Sequence, residues 1–119
     1  MPSRTLDGSI ERDVAAGISR LDPLLEHRLR LGACVLLSRA DSIRFTQLRD
    51  LLDATDGNLG AQMRKLEEAG YVEARKEFHD RKPFTWYCLT AKGRKGISLH
   101  LAALAELIGH DAGGGMPGK

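Results

Sequence analysis

This sequence predicts a mainly α fold with one small β-hairpin. Three observations carry the prediction. The stretch from Asp56 to Val72 holds a helix start, an apolar stripe and a helix stop. Directly after Gly70 the period of the chain changes from helical to alternating. A threonine, Thr90, then opens a last run of helical period, with Ile97, Leu101, Leu104 and Ile108 at i, i+4, i+7 and i+11. A chain of 119 residues suits one domain. With 42% hydrophobic but only 5% aromatic residues, its core must be built mostly from aliphatic side chains.

Residues 1–8 are polar and are read as a frayed start. From Ser9, Ile10, Val14, Ile18 and Leu21 recur on one helical face, interrupted by Gly17 and ended before Pro23. Asp22-Pro23 is a strong helix start, a capping carboxylate followed by proline at the first helical position. The spacing predicts one helix from there to about Arg39. Its second half, Leu31 to Leu37, is apolar almost all round and is therefore central to the core.

Ile43 is a candidate for a short strand. Thr46 is expected to cap a third helix with Leu48, Leu51 and Leu52 inward, and Asp53-Ala54-Thr55 reads as a tight turn. The next helix has Asp56 as its expected N-cap, and Gly70 supplies the left-handed residue at its end. Leu59, Met63 and Leu66 form its buried stripe. Asn58, Gln62, Arg64 and Lys65 occupy the other face, with Gly60 and Ala61 between them. Asn and Gln pair with adenine, and Arg and Lys with guanine, by fixed donor and acceptor geometry, so this face suits a major groove. Two short helices joined in this way form a helix-turn-helix.

After Gly70, Val72, Ala74, Lys76 and Phe78 alternate with Tyr71, Glu73, Arg75 and Glu77, which predicts a strand. His79 to Pro83 is a charged turn. Phe84 to Leu89 is rich in β-formers and returns antiparallel. The last helix carries Lys92, Arg94 and Lys95 in its first turns, where they oppose the helix dipole, and phosphate is one candidate for what favours them there. Between 71 and 95 there are seven basic and three acidic side chains, against ten and eleven in residues 1–70. The positive excess is local, as a phosphate-binding surface requires.

Cys34 and Cys88 lie in apolar runs and are read as small buried hydrophobes of a reducing compartment. No apolar run has transmembrane length, and the start lacks the apolar core of a signal peptide. The expectation is a cytoplasmic protein without membrane association. No Ser/His/Asp or Cys/His arrangement and no Gly-rich phosphate loop stands at a telling spacing, so no catalytic residues, no enzyme activity and no cofactor are expected. Of the scattered histidines, His27, His79, His100 and His110, the last two flank the final helix, but no metal site is expected.

Several runs also look familiar. These are Phe45-Thr46-Gln47-Leu48-Arg49-Asp50-Leu51-Leu52, Thr55-Asp56-Gly57-Asn58-Leu59, Arg64-Lys65-Leu66-Glu67-Glu68-Ala69-Gly70-Tyr71-Val72, Lys76-Glu77-Phe78, Arg81-Lys82-Pro83-Phe84-Thr85-Trp86 and Leu89-Thr90-Ala91-Lys92-Gly93-Arg94. Together they resemble a family of small bacterial and archaeal winged-helix transcriptional regulators related to the MarR and ArsR regulators. The resemblance covers roughly residues 24–106. It departs from the family pattern at Gly60-Ala61-Gln62, where that family carries larger polar groups.

The resemblance implies a winged helix-turn-helix with an extra N-terminal helix and a C-terminal dimerisation helix. Residues 1–21 are then an N-terminal arm, 22–90 the DNA-binding domain, 91–108 the dimerisation helix and 109–119 a disordered Gly-rich tail. It implies a homodimer that binds double-stranded DNA as a transcriptional regulator, read here as a repressor. The recognition helix, about residues 56–69, enters the major groove with Asn58, Gln62, Arg64 and Lys65. Thr46 and Gln47 bond phosphate, and the wing, 79–83, lays Arg81 and Lys82 on the minor groove or backbone. Candidate seams of the dimer are Ile10, Val14 and Ile18, and the stripe Ile97, Leu101, Leu104 and Ile108. Two alternatives stand beside this reading. One is a sensor of the same fold that answers a metal or a small-molecule effector. The other is a protein-interaction module without DNA.

Overall fold

The computed structural model describes residues 8–109. Residues 1–7 of the expected frayed start (1–8) and residues 110–119 of the expected tail (109–119) lie outside the described residues, while Gly8 opens a helix. The described residues form five α-helices, one 3₁₀ turn and a small three-stranded antiparallel sheet. They group into two compact units, residues 22–98 and residues 8–21 with 99–109.

The 22–98 unit begins with Asp22, whose side chain accepts from the Leu24 N–H at 3.0 Å and caps a single 3₁₀ turn, Pro23–Leu25. The single helix expected from Pro23 to Arg39 is in fact this turn followed by a separate helix. Helix α2, Arg28–Leu37, starts afresh because the His27 ring caps it, accepting from the Leu29 N–H at 3.1 Å. Helix α1, Gly8–Ser19, precedes both and belongs to the other unit.

Strand β1, Ile43–Arg44, runs straight into helix α3, Phe45–Leu51. Thr46 therefore lies inside the first turn of α3 and does not cap it; the cap position is Arg44, which makes no side-chain cap bond. Helix α4, Asp56–Glu68, is capped by Thr55 and not by Asp56: the Thr55 hydroxyl accepts from the Asn58 N–H at 3.1 Å. Gly70 closes α4 in the left-handed region, φ +79°.

Strands β2, Val72–His79, and β3, Lys82–Leu89, form the hairpin, and β1 adds to the far edge of β3 in the order β1-β3-β2. Helix α5, Ala91–Ile108, opens under a Thr90 cap. The Thr90 hydroxyl accepts from the Gly93 N–H at 3.0 Å and donates to the Gly70 carbonyl at 2.6 Å. One side chain thus ties the end of α4 to the start of α5.

The core joins Leu29, Ala33, Cys34 and Leu37 of α2 to Leu48 of α3, Leu59, Met63 and Leu66 of α4, and Ile43, Val72, Tyr87 and Leu89 of the sheet. Ile97 belongs here too. Expected on an intersubunit seam, it is 2% exposed inside the core of its own chain. The reason is close approach. A Cβ on Gly93 would meet the Tyr71 carbonyl oxygen at 2.1 Å, and one on Gly96 would meet the Tyr71 ring at 2.8 Å. The two glycines let the first turns of α5 sink onto Tyr71, and Ile97 goes in with them. Tyr71 is itself fixed, because its hydroxyl donates to the Asp22 carboxylate.

In the other unit, α1 meets the end of α5 at Gly17, where a Cβ would stand 2.5 Å from Leu107 Cδ2. The glycine that weakens α1 as an isolated helix is the residue that lets the two helices touch. Arg20 and Glu106 pair across the same contact, both half in solvent, so the pair adds little stability. Ile10, Val14, Ile18, Leu101 and Ile108 remain exposed, and Leu104 is half-buried. A groove of about 730 Å³ runs between Ile10, Val14, Arg20, Leu107 and Ile108.

Candidate nucleic-acid interface

The outer face of α4 is set by its inner one. With Leu59, Met63 and Leu66 fully buried, helical geometry turns Asn58, Arg64 and Lys65 to solvent, and all three are exposed. Nothing lies within 4 Å of where a Cβ would stand on Gly60. Arg49 of α3 braces the start of α4 by pairing with Asp56 at 2.8 Å while also holding Asp50 at 3.0 Å. Thr46 and Gln47 are exposed in the first turn of α3. In the turn between the helices Asp53 takes φ +51°, a conformation that aspartate tolerates better than most residues.

Gln62 is the exception on this face. It is half-buried, and its carboxamide oxygen accepts from Arg30 of α2. The helix period places Gln62 among the readers, but a cation from a neighbouring helix occupies its acceptor. Arg30 and Arg28, which donates to the Leu52 carbonyl at 3.0 Å, extend the basic surface to the start of α2. Sequence reasoning missed both, because nothing in the spacing shows that α2 begins beside α4.

His27 sits in this cationic corner. Burial, then the charges of Arg30, Lys65 and Arg28, hold its pKa below the usual imidazole range. The ring must stay neutral to cap α2, because protonated Nδ1 cannot accept from Leu29. The unfolded chain takes up this proton near pH 6.5 and the folded chain only at lower pH. The stability linked to His27 is therefore complete above about pH 6.5 and is lost as pH falls toward the folded-state value. A His27→Asn variant, which caps without titrating, is expected to lose less melting temperature than the wild type between pH 7.5 and 5.5. Equal losses would contradict this role for the ring.

The hairpin closes through Asp80 and Arg81, with φ of +51° and +67°. Both central residues are left-handed, as a tight two-residue hairpin turn demands, yet neither is glycine. Each costs about 1–2 kcal/mol relative to a relaxed residue. The turn fixes Arg81 at the tip. Lys82 follows on β3, opposite His79. At the other end of the sheet the Arg44 guanidinium lies over the Phe84 ring at 5.3 Å and the Trp86 ring at 5.7 Å, on the face away from the core. Arg44 is a further exposed cation, one that no spacing pattern singles out.

Both cysteines are free thiols. Cys34 is fully buried, and burial, reinforced by Asp22, pushes its pKa up to about 12, so it is chemically quiet. Cys88 is half-buried on the sheet. Among the described residues, no group of three or more His, Cys, Asp or Glu side chains could hold a metal ion. His100 is buried, and His110 lies outside the described residues. Among the described residues no helix is long and apolar enough to cross a membrane.

Residues 29–108 match the family described as winged helix DNA-binding domain. The chain belongs to that family. An uncharacterized protein of Methanocaldococcus jannaschii is 32% identical over 79 residues, which are 66% of this chain and 86% of that protein. Among solved structures, a transcriptional regulator homologue from Pyrococcus horikoshii OT3 superposes with a TM-score of 0.72 at 29% identity, over 82% of this chain and 94% of that one. MarR superposes with a TM-score of 0.64 at 21% identity, over 87% and 77% of the two chains, a likeness of fold. The protein thus has the winged-helix fold, with α4 as the second helix of the helix-turn-helix and the β2–β3 hairpin as its wing.

Proposed function

We propose that this winged-helix protein is a homodimeric regulator that binds duplex DNA, with α4 in the major groove and the wing on the minor groove or its phosphates. The observation that carries the reading is the outer face of α4. It is exposed at Asn58, Arg64 and Lys65, free of carboxylates from Asn58 to Lys65, and cationic at Arg64 and Lys65. Asn58, Arg64 and Lys65 are the proposed base and phosphate contacts, with Gln62 presenting Arg30 and making contact only through its remaining amide. Thr46, Gln47, Arg81 and Lys82 are the proposed phosphate contacts on either side. Occupancy of a promoter by such a dimer blocks it, so repression is the proposed sense of regulation.

A single small reader gains limited affinity, and two readers on one duplex gain far more. The exposed apolar side chains of α1 and of the end of α5 support pairing: Ile10, Val14, Ile18, Leu101 and Ile108, with Leu104 at the margin. Ile97 has no part in it. The test joins sedimentation to hydroxyl-radical footprinting on a duplex selected from random sequence. The wild type should sediment as a dimer and protect two patches about 34 Å apart on one face of the duplex. A Val14→Glu/Ile108→Glu variant should sediment as a monomer and bind at least about tenfold more weakly. A monomeric wild type that protects one patch would overturn the dimer.

A further inference from the structure

Beyond the core, the wing has two chemically different faces. β2 and β3 pair in unbroken register from Val72 opposite Leu89 to His79 opposite Lys82. Side chains alternate between the faces of a strand. Val72, Ala74, Tyr87 and Leu89 mark the face that covers the core, and the same face continues outward through Lys76 and Phe78 with their partners Thr85 and Pro83. The opposite face carries Glu73, Arg75, Glu77 and His79. Both carboxylates of the two strands are thus on the back, and Glu77 is paired with Arg75 at 2.9 Å. Asp80, in the turn, lies 3.8 Å from His79.

The front of the overhang therefore presents a lysine, a phenylalanine, a proline and a threonine, with no carboxylate among them. Phe78 is 75% exposed, an expensive place for a phenyl ring unless something covers it. The left-handed turn holds Arg81 just beyond it. The front is also continuous with the part of the sheet that packs on α4 in the core, through Val72, Tyr87 and Leu89.

We propose that Phe78, opposite Pro83 and flanked by Lys76 and Arg81, is an apolar wedge that enters the minor groove of the DNA held by α4. The proposal rests on the reading of this protein as a DNA binder. An apolar surface edged by cations and cleared of carboxylates complements a groove with deoxyribose walls and phosphate rims. Wedges of this kind part a base step, most readily a flexible pyrimidine–purine step such as TA. A protein partner could also cover Phe78, but it would give no reason for both strand carboxylates, Glu73 and Glu77, to lie on the back.

The test uses the full chain and a duplex of about 30 bp that contains TA steps, with 2-aminopurine placed at one of them. The wild type should raise 2-aminopurine fluorescence on binding, as stacking is lost. Phe78→Ala should bind about tenfold more weakly and lose the fluorescence rise. Its salt dependence should not change, because a phenyl ring releases no counterions. Phe78→Leu should restore most of the affinity, and Lys76→Ala should instead lower the salt slope by about one per protomer. Thermal unfolding of Phe78→Ala should match the wild type, since the ring is largely in solvent. If Phe78→Ala equals the wild type in affinity and fluorescence while both bind with steep salt dependence, the wedge is wrong and the DNA reading stands. If the wild type fails to bind the duplex at about 50 mM salt, both fall.

Discussion

Gly93→Ala is expected to destabilise the protein by about 3 kcal/mol or more, or to prevent folding. The added methyl would lie 2.1 Å from the Tyr71 carbonyl oxygen and 3.0 Å from Leu89 Cδ2. A rotamer change cannot relieve a clash with a carbonyl. That carbonyl is already held in place, accepting the Thr90 N–H at 3.0 Å, and the Tyr71 ring is held by Asp22. Alanine is a better helix former than glycine by about 1 kcal/mol, which offsets only part of the cost. Gly60→Ala is the control with the opposite sign. It also lies inside a helix, but nothing stands within 4 Å of its Cβ position, so melting should rise by the equivalent of about 1 kcal/mol. Melting curves of the two variants decide the matter, and a Gly93→Ala protein as stable as the wild type would refute the close packing of α5 on Tyr71.

Arg64→Ala/Lys65→Ala should leave stability within about 0.5 kcal/mol of the wild type, because both side chains are exposed on α4. Duplex affinity, by contrast, should fall by about two orders of magnitude at about 0.1 M salt. The slope of log K against log salt should become shallower by about one for each phosphate contact removed. A variant that binds less tightly with an unchanged slope would mean that these cations do not meet phosphate. A variant that binds as well as the wild type would remove α4 from the interface.

How far these features were legible in the sequence depended on whether their causes were local. α4 was readable to within a residue, because its stripe, its start and its Gly70 stop all lie inside one short run. The hairpin was readable for the same reason. Where the decisive partner is remote, reading failed. The break between Pro23–Leu25 and α2 depends on an imidazole acting as a cap, a role normally filled by Ser, Thr, Asp or Asn. Ile97 keeps perfect helical spacing with Leu101 and Leu104, yet its burial follows from Gly93 and Gly96 meeting Tyr71. The left-handed Asp53, Asp80 and Arg81 carry no glycine to announce them. On the candidate site, the exposure of Asn58, Arg64 and Lys65 followed from the α4 stripe. The capture of Gln62 by Arg30 joins residues from different helices and left no mark in the spacing.

The central claim is that the exposed face of α4 and the wing together hold a duplex through its phosphates. Wild-type affinity for a mixed-sequence duplex, measured at about 50 and about 200 mM salt, tests it most directly. With about six phosphates neutralised, the account predicts tight binding at the lower concentration and a loss of about 10³ at the higher. Absence of binding at about 50 mM salt, or an affinity that hardly changes between the two, would contradict it.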